Sequence, residues 1–196
     1  FLANLLMGEP FNRKELLDIT AEMEGHPDNA APAILGGFCM ALIENGNVVA
    51  ERIDIPSQWK AVVAIPDFEL HTEKARAVLP ASYVRSDVVH NIGAVSFLMA
   101  AFMYNKPEYL KFGLDDHVHV PYRLGLIPGS EEVIRSSVKA GAYGATISGS
   151  GPTIIAFSPS DKAHLVGESM VSTFKHHGIT SSYIVLDFDQ SGISAV

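Results

Sequence analysis

The chain has 196 residues, a formal net charge of −8 at pH 7 and a hydrophobic share of 47%. This length allows one large or two small domains with a sizeable core. An acidic chain without a cluster of Lys or Arg argues against nucleic acid or an anionic membrane surface as a partner. No apolar run approaches the roughly 20 residues of a membrane span, and the most apolar stretch, residues 95–103, is predicted to be a buried helix. The single cysteine, Cys39, excludes an intramolecular disulfide and suits a reducing cytoplasm.

The first predicted elements are two helices. Residues 1–7 have the pattern of a helix end, and no Met starts the chain, so we expect it to be part of a longer protein. Asn12 and Glu15 are spaced as a capping box, in which each side chain accepts a hydrogen bond from the backbone of the other. This pattern predicts that a second helix begins here and that Gly25 ends it.

A short third helix and a β-hairpin are predicted next. Asp28 or Asn29 can cap this helix, because short polar side chains accept hydrogen bonds from the free N–H groups of a first turn. Apolar segments then flank Asn45 and Gly46, a dipeptide typical of two-residue hairpin turns. The sequence therefore predicts two antiparallel strands, one on each side of this dipeptide.

A domain boundary is predicted at Pro56-Ser57, which divides the chain into domains at residues 1–57 and 58–196. The second domain is expected to follow the split βαβ, or ferredoxin-like, order of elements, interrupted by a helical insert at about residues 108–140. The predicted order is a strand at 61–65, a long helix at 82–104, strands at 144–148 and 153–157, a helix at 161–176 capped by Ser160 or Asp161, and a strand at 183–188.

Four polar residues are concentrated just before the third helix, namely Glu24, His26, Asp28 and Asn29. In a purely structural interpretation, Asp28 caps the helix and His26 forms hydrogen bonds with polar groups of the loop. In a functional interpretation, the helix N-terminus attracts a polar ligand. Asp28 then accepts a hydroxyl or ammonium group, His26 adds a contact, and Glu24 binds a divalent ion such as Mg²⁺. The residues alone leave both interpretations open.

Two arginines are candidate anion clamps. Thr72 can cap a short helix, which places Arg76 four residues on above the same face. There Arg76 is either solvated or a bidentate partner for a carboxylate or phosphate. Arg123 follows a proline in an aromatic loop and is a candidate for a second clamp of this kind.

Two histidines at i, i+2, His117 and His119, could suggest a metal site. No third ligand lies nearby at zinc-like spacing, so the sequence argues against a metal there. His90 is interpreted as structural or solvent-facing, and Asp115 and Asp116 as a solvated turn.

The glycine-rich segment at residues 148–153, here called the glycine loop, joins two predicted strands. Such a loop is either a tight hairpin or a place where backbone N–H groups approach a ligand closely. It lacks the Gly-Lys-Ser/Thr of a Walker loop and the GxSxG of a hydrolase elbow. A hydrolase is therefore disfavoured.

Three segments together resemble the GHMP kinase family, and within it the homoserine kinases. Residues 24–37, which begin Glu-Gly-His-Pro-Asp-Asn, resemble the family's middle motif in its homoserine kinase form. Residues 71–80 resemble the T-x-x-x-R-x-x-L-P segment, and the glycine loop resembles the C-terminal glycine loop of the family. The three matches have the right order and spacing, and the resemblance covers essentially the whole chain.

The resemblance implies an α+β fold of two domains. The first, at residues 1–57, would be the C-terminal part of a domain like ribosomal protein S5 domain 2, and the second would be ferredoxin-like. It further implies transfer of the γ-phosphoryl group of ATP to the side-chain hydroxyl of L-homoserine, with Mg²⁺, in threonine biosynthesis. A cytoplasmic homodimer is the assembly that it implies.

Residue roles follow from the matched motifs. Asp28 would bind the hydroxyl or amino end of the substrate, with His26 and Asn29 beside it. Arg76 and Arg123 would take the substrate carboxylate. The remaining implied roles are Thr72 near the reacting hydroxyl, Gly149 in the lining of the substrate pocket, Glu24 as the Mg²⁺ ligand, and Asp28, Thr72 and Arg76 as the catalytic group.

One family motif, the ATP loop of the form P-x-x-x-G-L-G-S-S-A-A, does not occur in this sequence. It is expected just before Phe1, so the 196-residue chain by itself is expected to lack kinase activity. Two alternatives stay open from the residues. One is a non-catalytic amino-acid-binding module, and the other is a GHMP kinase that acts on a different small alcohol. Carboxylate recognition by Arg123 would separate homoserine from such an alcohol.

Overall fold

The computed structural model describes residues 1–194 as two compact units. The first unit comprises residues 1–55 and 188–194, and the second is Pro56–Asp187. The predicted boundary at Pro56-Ser57 lies beside this division, while residues 188–194, which the sequence assigned to the second domain, pack with the first unit. The first unit contains three helices, α1 (Leu2–Leu6), α2 (Arg13–Glu24) and α3 (Ala30–Leu35), and two strands, β1 (Phe38–Glu44) and β2 (Asn47–Ile53).

Helix α2 begins and ends as predicted. The Asn12 side chain accepts hydrogen bonds from the N–H groups of Lys14 and Glu15, and the Glu15 carboxylate accepts from Asn12 N–H at 2.8 Å. Gly25 ends the helix with a φ of 80°, which a residue without a Cβ adopts at little cost. Both ends of α2 are therefore set by local chemistry that the sequence displays.

Strands β1 and β2 form the predicted antiparallel hairpin. Asn45 and Gly46 at its tip have φ values of 51° and 80°, as a two-residue turn between right-twisted strands requires. Helices α2 and α3 bury their apolar faces against this hairpin. The buried residues of this small core are Leu17, Ala21, Ala30, Ala31, Ile34 and Val48.

The segment 188–194 is held to the first unit by backbone and side-chain contacts. The Gln190 carboxamide accepts from Ile55 N–H and donates to Ile55 C=O, both at 3.1 Å. Gly36 and Gly192 approach so closely that a Cβ on either would lie within 2.6 Å of the other segment's backbone. The half-buried Cys39 donates to Gly36 C=O, and burial raises the pKa of its thiol.

Asp18 joins α2 to β2. Its carboxylate accepts hydrogen bonds from Lys14 Nζ at 2.6 Å and from Val48 N–H at 2.7 Å. These two hydrogen bonds hold the pKa of Asp18 below its ordinary value, against a smaller opposing effect of burial. The contribution to stability is therefore complete above the ordinary pKa of about 3.9 and is lost as the pH falls through the lower pKa of the folded state.

We expect Asp18→Ala to lower the free energy of unfolding of the first unit by about 1.5–3 kcal/mol at pH 7, the scale of hydrogen bonds to a charged group. Urea titrations followed by circular dichroism at pH 7 and pH 3 test this, and the difference from the unsubstituted protein should shrink at pH 3. Glu22→Ala, at an exposed position of the same helix, is the matched control. An equal loss in this control would contradict the role assigned to Asp18.

The second unit contains a four-stranded antiparallel sheet in the order β4-β5-β3-β6. This is the ferredoxin-like order, so the predicted α+β fold class is confirmed. Its strands are β3 (Trp59–Pro66), β4 (Gly144–Ile147), β5 (Ile154–Pro159) and β6 (Ser181–Leu186), and its helices are α4 (Thr72–Ala77), α5 (Arg85–Met103), α6 (Leu110–Gly113), α7 (Val120–Arg123), α8 (Ser130–Lys139) and α9 (Ala163–His176).

The helix that packs beside α9 on the sheet is α8, which lies inside the segment predicted to be an insert. Val133 of α8 and Val166, Met170 and Phe174 of α9 are fully buried over β3 and β5. A hydrogen bond of 2.9 Å from the Thr173 hydroxyl to the Ser136 hydroxyl joins the two helices. The predicted insert therefore supplies one of the two helices that cover this face of the sheet.

Helix α5 instead meets the opposite face of the sheet with its C-terminal end. Phe102 is 2% exposed, and its ring centroid lies 5.3 Å from that of Trp59 and 5.7 Å from that of Phe157. Most of α5 is exposed, so the prediction of a buried helix at 95–103 holds only at Ala101 and Phe102.

By length and composition alone, α5 could cross a membrane, contrary to the sequence prediction that no run is long enough. One such helix is by itself weak evidence of a membrane span. Asn91, in the middle of α5, donates to Asp116 Oδ1 at 3.0 Å, so polar contacts tie this helix to the rest of its unit.

Helix α9 begins later than predicted. A turn of 3-10 helix at Ser160–Lys162 precedes it, and the Ser160 hydroxyl donates to Gln58 C=O at 3.0 Å. Ser160, one of the two residues expected to cap the helix, thus holds the chain beside the start of β3.

Candidate functional site

In the first unit, hydrogen bonds around the Asp28 carboxylate join three of the four predicted polar residues. His26 Nδ1 and Asp28 Oδ1 are 2.5 Å apart, with 35% and 73% of their side chains exposed. The same Asp28 oxygen accepts from Asn29 N–H at 3.0 Å. Asn29 occupies the N-cap position of α3, but the prediction of a side-chain cap fails there, since Asn29 makes no such bond within the described residues 1–194.

The Asp28 carboxylate is thus fixed by one imidazole and one backbone N–H while most of its surface faces solvent. A carboxylate that is oriented but exposed can accept further hydrogen bonds from an ammonium or hydroxyl group. Glu24, the last residue of α2, is also exposed. Its carboxylate is open to a hydrated cation.

In the second unit, two helices, α4 and α7, meet at the glycine loop. Helix α4 begins at Thr72, after His71 in the N-cap position. Thr72 is therefore the first helical residue and not the cap that was predicted. Its hydroxyl lies 3.3 Å from the Ser150 hydroxyl, so α4 and the glycine loop touch at this point.

Arg123 links the same two elements from a third side. Its Nε donates to Ala75 C=O of α4 at 3.3 Å, and its Nη1 donates to Gly149 C=O of the glycine loop at 3.0 Å. A guanidinium group has five N–H donors, and these two bonds use two of them. Arg123 is half-buried, which fixes its position more firmly than that of a surface arginine.

Asp116 determines where α7, and hence Arg123, begins. Its carboxylate accepts hydrogen bonds from the N–H groups of Val118, His119 and Val120 at 2.6 to 3.2 Å. Burial raises the pKa of Asp116, but the hydrogen bonds from Asn91 and from these N–H groups outweigh it, so the pKa lies below its ordinary value. The prediction of a solvated turn was wrong for Asp116, because a half-buried carboxylate organises this loop.

The glycine loop needs glycine at two positions. Gly149 and Gly151 have φ values of 57° and 83°, which other residues rarely adopt. A Cβ at Gly151 would lie 2.6 Å from Ile127 Cδ1, whereas one at Gly149 would meet nothing within 4 Å. The Gly149 side of the loop is therefore open to a ligand, and the Gly151 side is packed.

A cavity of about 420 Å³ opens beside this junction. Phe68, His71 and Thr72 line it from the α4 side, and Pro152 and Thr153 line it from the glycine loop. This volume is within the usual range for small-molecule pockets. Arg76 lies one helical turn after Thr72 and is exposed.

In the first unit the structure joins His26, Asp28 and Asn29 by hydrogen bonds. In the second unit, Arg123 contacts Gly149 of the glycine loop, and Thr72 contacts the neighbouring Ser150. Glu24 and Arg76 are exposed at α2 and α4. Sequence reasoning missed the contact of Ser150 with Thr72. The signal was present, since a hydroxyl residue stands between two glycines of the loop, but its partner is 78 positions away.

Part of the second unit matches a known family model. Residues 108–176 match the model described as "GHMP kinases C terminal". This segment contains Arg123, α8, the glycine loop and α9.

The whole chain is similar to curated and solved homoserine kinases. It is 43% identical over 190 residues to the homoserine kinase of Carboxydothermus hydrogenoformans. The matched region covers 97% of this chain and 62% of that relative. It also superposes on the crystal structure of homoserine kinase from Cytophaga hutchinsonii with a TM-score of 0.90 and 32% identity, covering 97% of this chain and 62% of that one. The chain thus spans less than two thirds of the length of these relatives.

A more distant solved structure shares the fold. The structure of L. major mevalonate kinase in complex with R-mevalonate matches with a TM-score of 0.68 and 16% identity, over 98% of this chain and 63% of that one. At this identity the likeness concerns the fold alone.

Proposed function

Since this chain belongs to the GHMP kinase family, we propose that it is the larger part of a homoserine kinase. The enzyme would transfer the γ-phosphoryl group of ATP to the side-chain hydroxyl of L-homoserine. The observation that carries this proposal is the 43% identity to a homoserine kinase over 97% of the chain. Phosphoryl transfer requires positioning and charge neutralisation more than covalent help from the protein, and the polar groups described above are suited to both.

The substrate carboxylate is assigned to Arg76 and Arg123. Arg123 is held by the carbonyls of Ala75 and Gly149, so its guanidinium is fixed before a ligand arrives. A fixed guanidinium fork binds a carboxylate with two parallel hydrogen bonds and loses little side-chain entropy. Gly149, whose open side has room for a ligand, lines the same place.

The amino or hydroxyl end of the substrate is assigned to Asp28, with His26 and Asn29 beside it. The His26 contact and the Asn29 N–H orient the Asp28 carboxylate, and its 73% exposure leaves acceptor sites available. We assign Asp28 to substrate positioning first. Thr72 is assigned a position near the reacting hydroxyl, because it lines the cavity.

Glu24 fits a role in binding Mg²⁺. It offers an exposed carboxylate at the end of α2, and Mg²⁺ in kinases is commonly held by one or two carboxylates together with substrate phosphates. When bound, the ion neutralises charge on the phosphate oxygens of ATP.

A cytoplasmic location and the absence of a membrane partner belong to the same proposal.

A substrate panel with the full-length protein, ATP and Mg²⁺ tests the function. We expect ADP release with L-homoserine, and at least about tenfold lower kcat/KM with 2-amino-1,4-butanediol, which lacks the carboxylate and so loses a charged hydrogen bond. Mevalonate should not be phosphorylated. Binding of homoserine without ADP release would instead support a non-catalytic amino-acid-binding module.

The homodimer is proposed to form through α5. Val88, Ile92, Val95 and Met99 recur at intervals of four, three and four residues, the spacing of a helix-pairing seam. Ile92 is 65% exposed and Val95 53% exposed, and residues 88–103 contain no charged side chain. A seam of this kind can pair with its own copy about a two-fold axis.

Ile92→Asp should convert the dimer to a monomer, because it would bury an unpaired charge at the centre of the seam. Size-exclusion chromatography with light scattering measures the mass directly. Leu165→Asp, at a 52% exposed apolar position of α9, should leave the dimer intact. A monomeric unsubstituted protein, or a dimer that survives Ile92→Asp, would rule out this interface.

A further inference from the structure

A cluster of two imidazoles and one carboxylate lies on the second unit, where α5 meets the loop before α7. His90 of α5 faces Asp115 and His117 of the loop. His90 Nε2 is 3.0 Å from Asp115 Oδ2, and His117 Nε2 is 3.7 Å from the same oxygen. One nitrogen of each histidine and one oxygen of the aspartate all lie within 4.8 Å of one another. These three atoms are therefore close enough together to bind one ion.

The two imidazole rings are stacked. Their centroids are 3.8 Å apart and their planes differ by 14°. Both rings direct Nε2 toward the Asp115 carboxylate, and His90 Nε2 also lies 3.1 Å from Asp115 C=O. An imidazole nitrogen binds a metal ion through the lone pair in its ring plane. Because the two planes are nearly parallel, one ring must turn about its Cβ–Cγ bond for both Nε2 atoms to bind the same ion.

A carboxylate and a carboxamide outside the cluster hold His117 in place. Asp87 Oδ1 lies 3.5 Å from His117 Nδ1, and Asn91 Oδ1 accepts from His117 N–H at 2.8 Å. Asp87 thus lies beside Nδ1, while Nε2 of the same ring is the nitrogen nearest Asp115 Oδ2. This is the carboxylate–histidine–metal arrangement found in many metal sites.

We propose that His90 Nε2, Asp115 Oδ2 and His117 Nε2 bind one divalent transition metal ion of the zinc class. Two nitrogen donors and one oxygen donor suit Zn²⁺, Co²⁺ or Ni²⁺ better than Mg²⁺ or Ca²⁺, which prefer oxygen ligands alone. His90 and Asp115 are exposed and His117 is half-buried, so water completes the coordination. His90 comes from α5, far from His117 in the sequence, so the spacing around His117 and His119 did not predict a metal here.

The bound ion would fasten α5 to the loop that carries Asp116, and through Asp116 to the start of α7. It therefore acts as a structural clamp at the base of the element that ends in Arg123. This role is separate from Mg²⁺-dependent phosphoryl transfer, and its test does not use kinase activity as a readout.

The experiment is a titration of the metal-free full-length protein with Zn²⁺ by isothermal calorimetry, and with Co²⁺ by visible absorption. We expect one ion per chain and ligand-field bands of Co²⁺ that report nitrogen ligation. His90→Gln and His117→Gln should each weaken Zn²⁺ binding by about a hundredfold, and Asp87→Asn by about tenfold with unchanged stoichiometry. Thermal unfolding of each metal-free variant shows whether it is folded. If a histidine variant does not fold, Asp87→Asn, which leaves all three ligands in place, still tests the site.

The matched control is the double substitution His176→Gln and His177→Gln, which removes another adjacent histidine pair next to Glu132. This control should bind Zn²⁺ as the unsubstituted protein does. The proposal is overturned if His90→Gln and His117→Gln leave binding unchanged, if the control abolishes it, or if Mg²⁺ competes with Zn²⁺ at equal concentration.

Discussion

Replacement of Arg123 with leucine is expected to raise the KM for homoserine at least about tenfold while the KM for ATP changes little. The substrate carboxylate would lose a charged hydrogen bond to the guanidinium, which is worth about 1.5–3 kcal/mol. The substitution would also release the carbonyls of Ala75 and Gly149, which Arg123 now holds at 3.3 and 3.0 Å. Steady-state kinetics with each substrate varied in turn measures both constants.

Two further variants separate binding from structure. Arg123→Lys keeps the charge but not the planar fork, so its KM for homoserine should lie between those of the unsubstituted protein and Arg123→Leu. Arg135→Leu removes an exposed arginine of α8 that pairs with Glu131, and it should leave both KM values unchanged. An unchanged KM for homoserine in Arg123→Leu would remove the carboxylate assignment.

Replacement of Asp28 with asparagine is expected to lower kcat/KM for homoserine by about a hundredfold. The change keeps the shape of the side chain and removes its charge, so an ammonium or hydroxyl group loses a charged acceptor. The contact with His26, now 2.5 Å, would weaken at the same time. Kinetics with saturating ATP and Mg²⁺ provides the measurement, and circular dichroism checks that α2 and α3 remain folded.

Asp54→Asn is a close match for this test. Asp54 is 71% exposed and pairs with Arg52 at 2.9 Å, while Asp28 is 73% exposed and pairs with His26. Both belong to the first unit. A similar loss of activity in the two variants would mean that Asp28 acts through general charge or stability and does not position the substrate.

Local features of the fold could be predicted from the sequence because their chemistry is carried by neighbouring residues. The capping box of Asn12 and Glu15, the stop at Gly25 and the turn at Asn45-Gly46 each depend on groups within four positions of one another. The strand order of the second unit was also predictable, since the succession of strands and helices restricts the sheet to few topologies.

Features that depend on long-range packing were not predictable in the same way. Helix α5 is the longest apolar element, yet α8 packs on the sheet beside α9. The buried residues of α8 lie on one face, which joins the core, whereas the apolar residues of α5 surround the whole helix. The contact of Thr72 with Ser150 and that of His90 with Asp115 likewise join distant positions. Motifs could nominate Thr72 and Arg123, but only the fold shows what each one touches.

The most direct test is identification of the product after the full-length protein has acted on L-homoserine, ATP and Mg²⁺. Phosphorus NMR and mass spectrometry distinguish a phosphate ester on the side-chain hydroxyl from free phosphate. We predict O-phosphohomoserine and ADP in equal amounts, both dependent on homoserine. Release of inorganic phosphate alone, or a phosphate ester formed only with an alcohol other than homoserine, would contradict the proposed function.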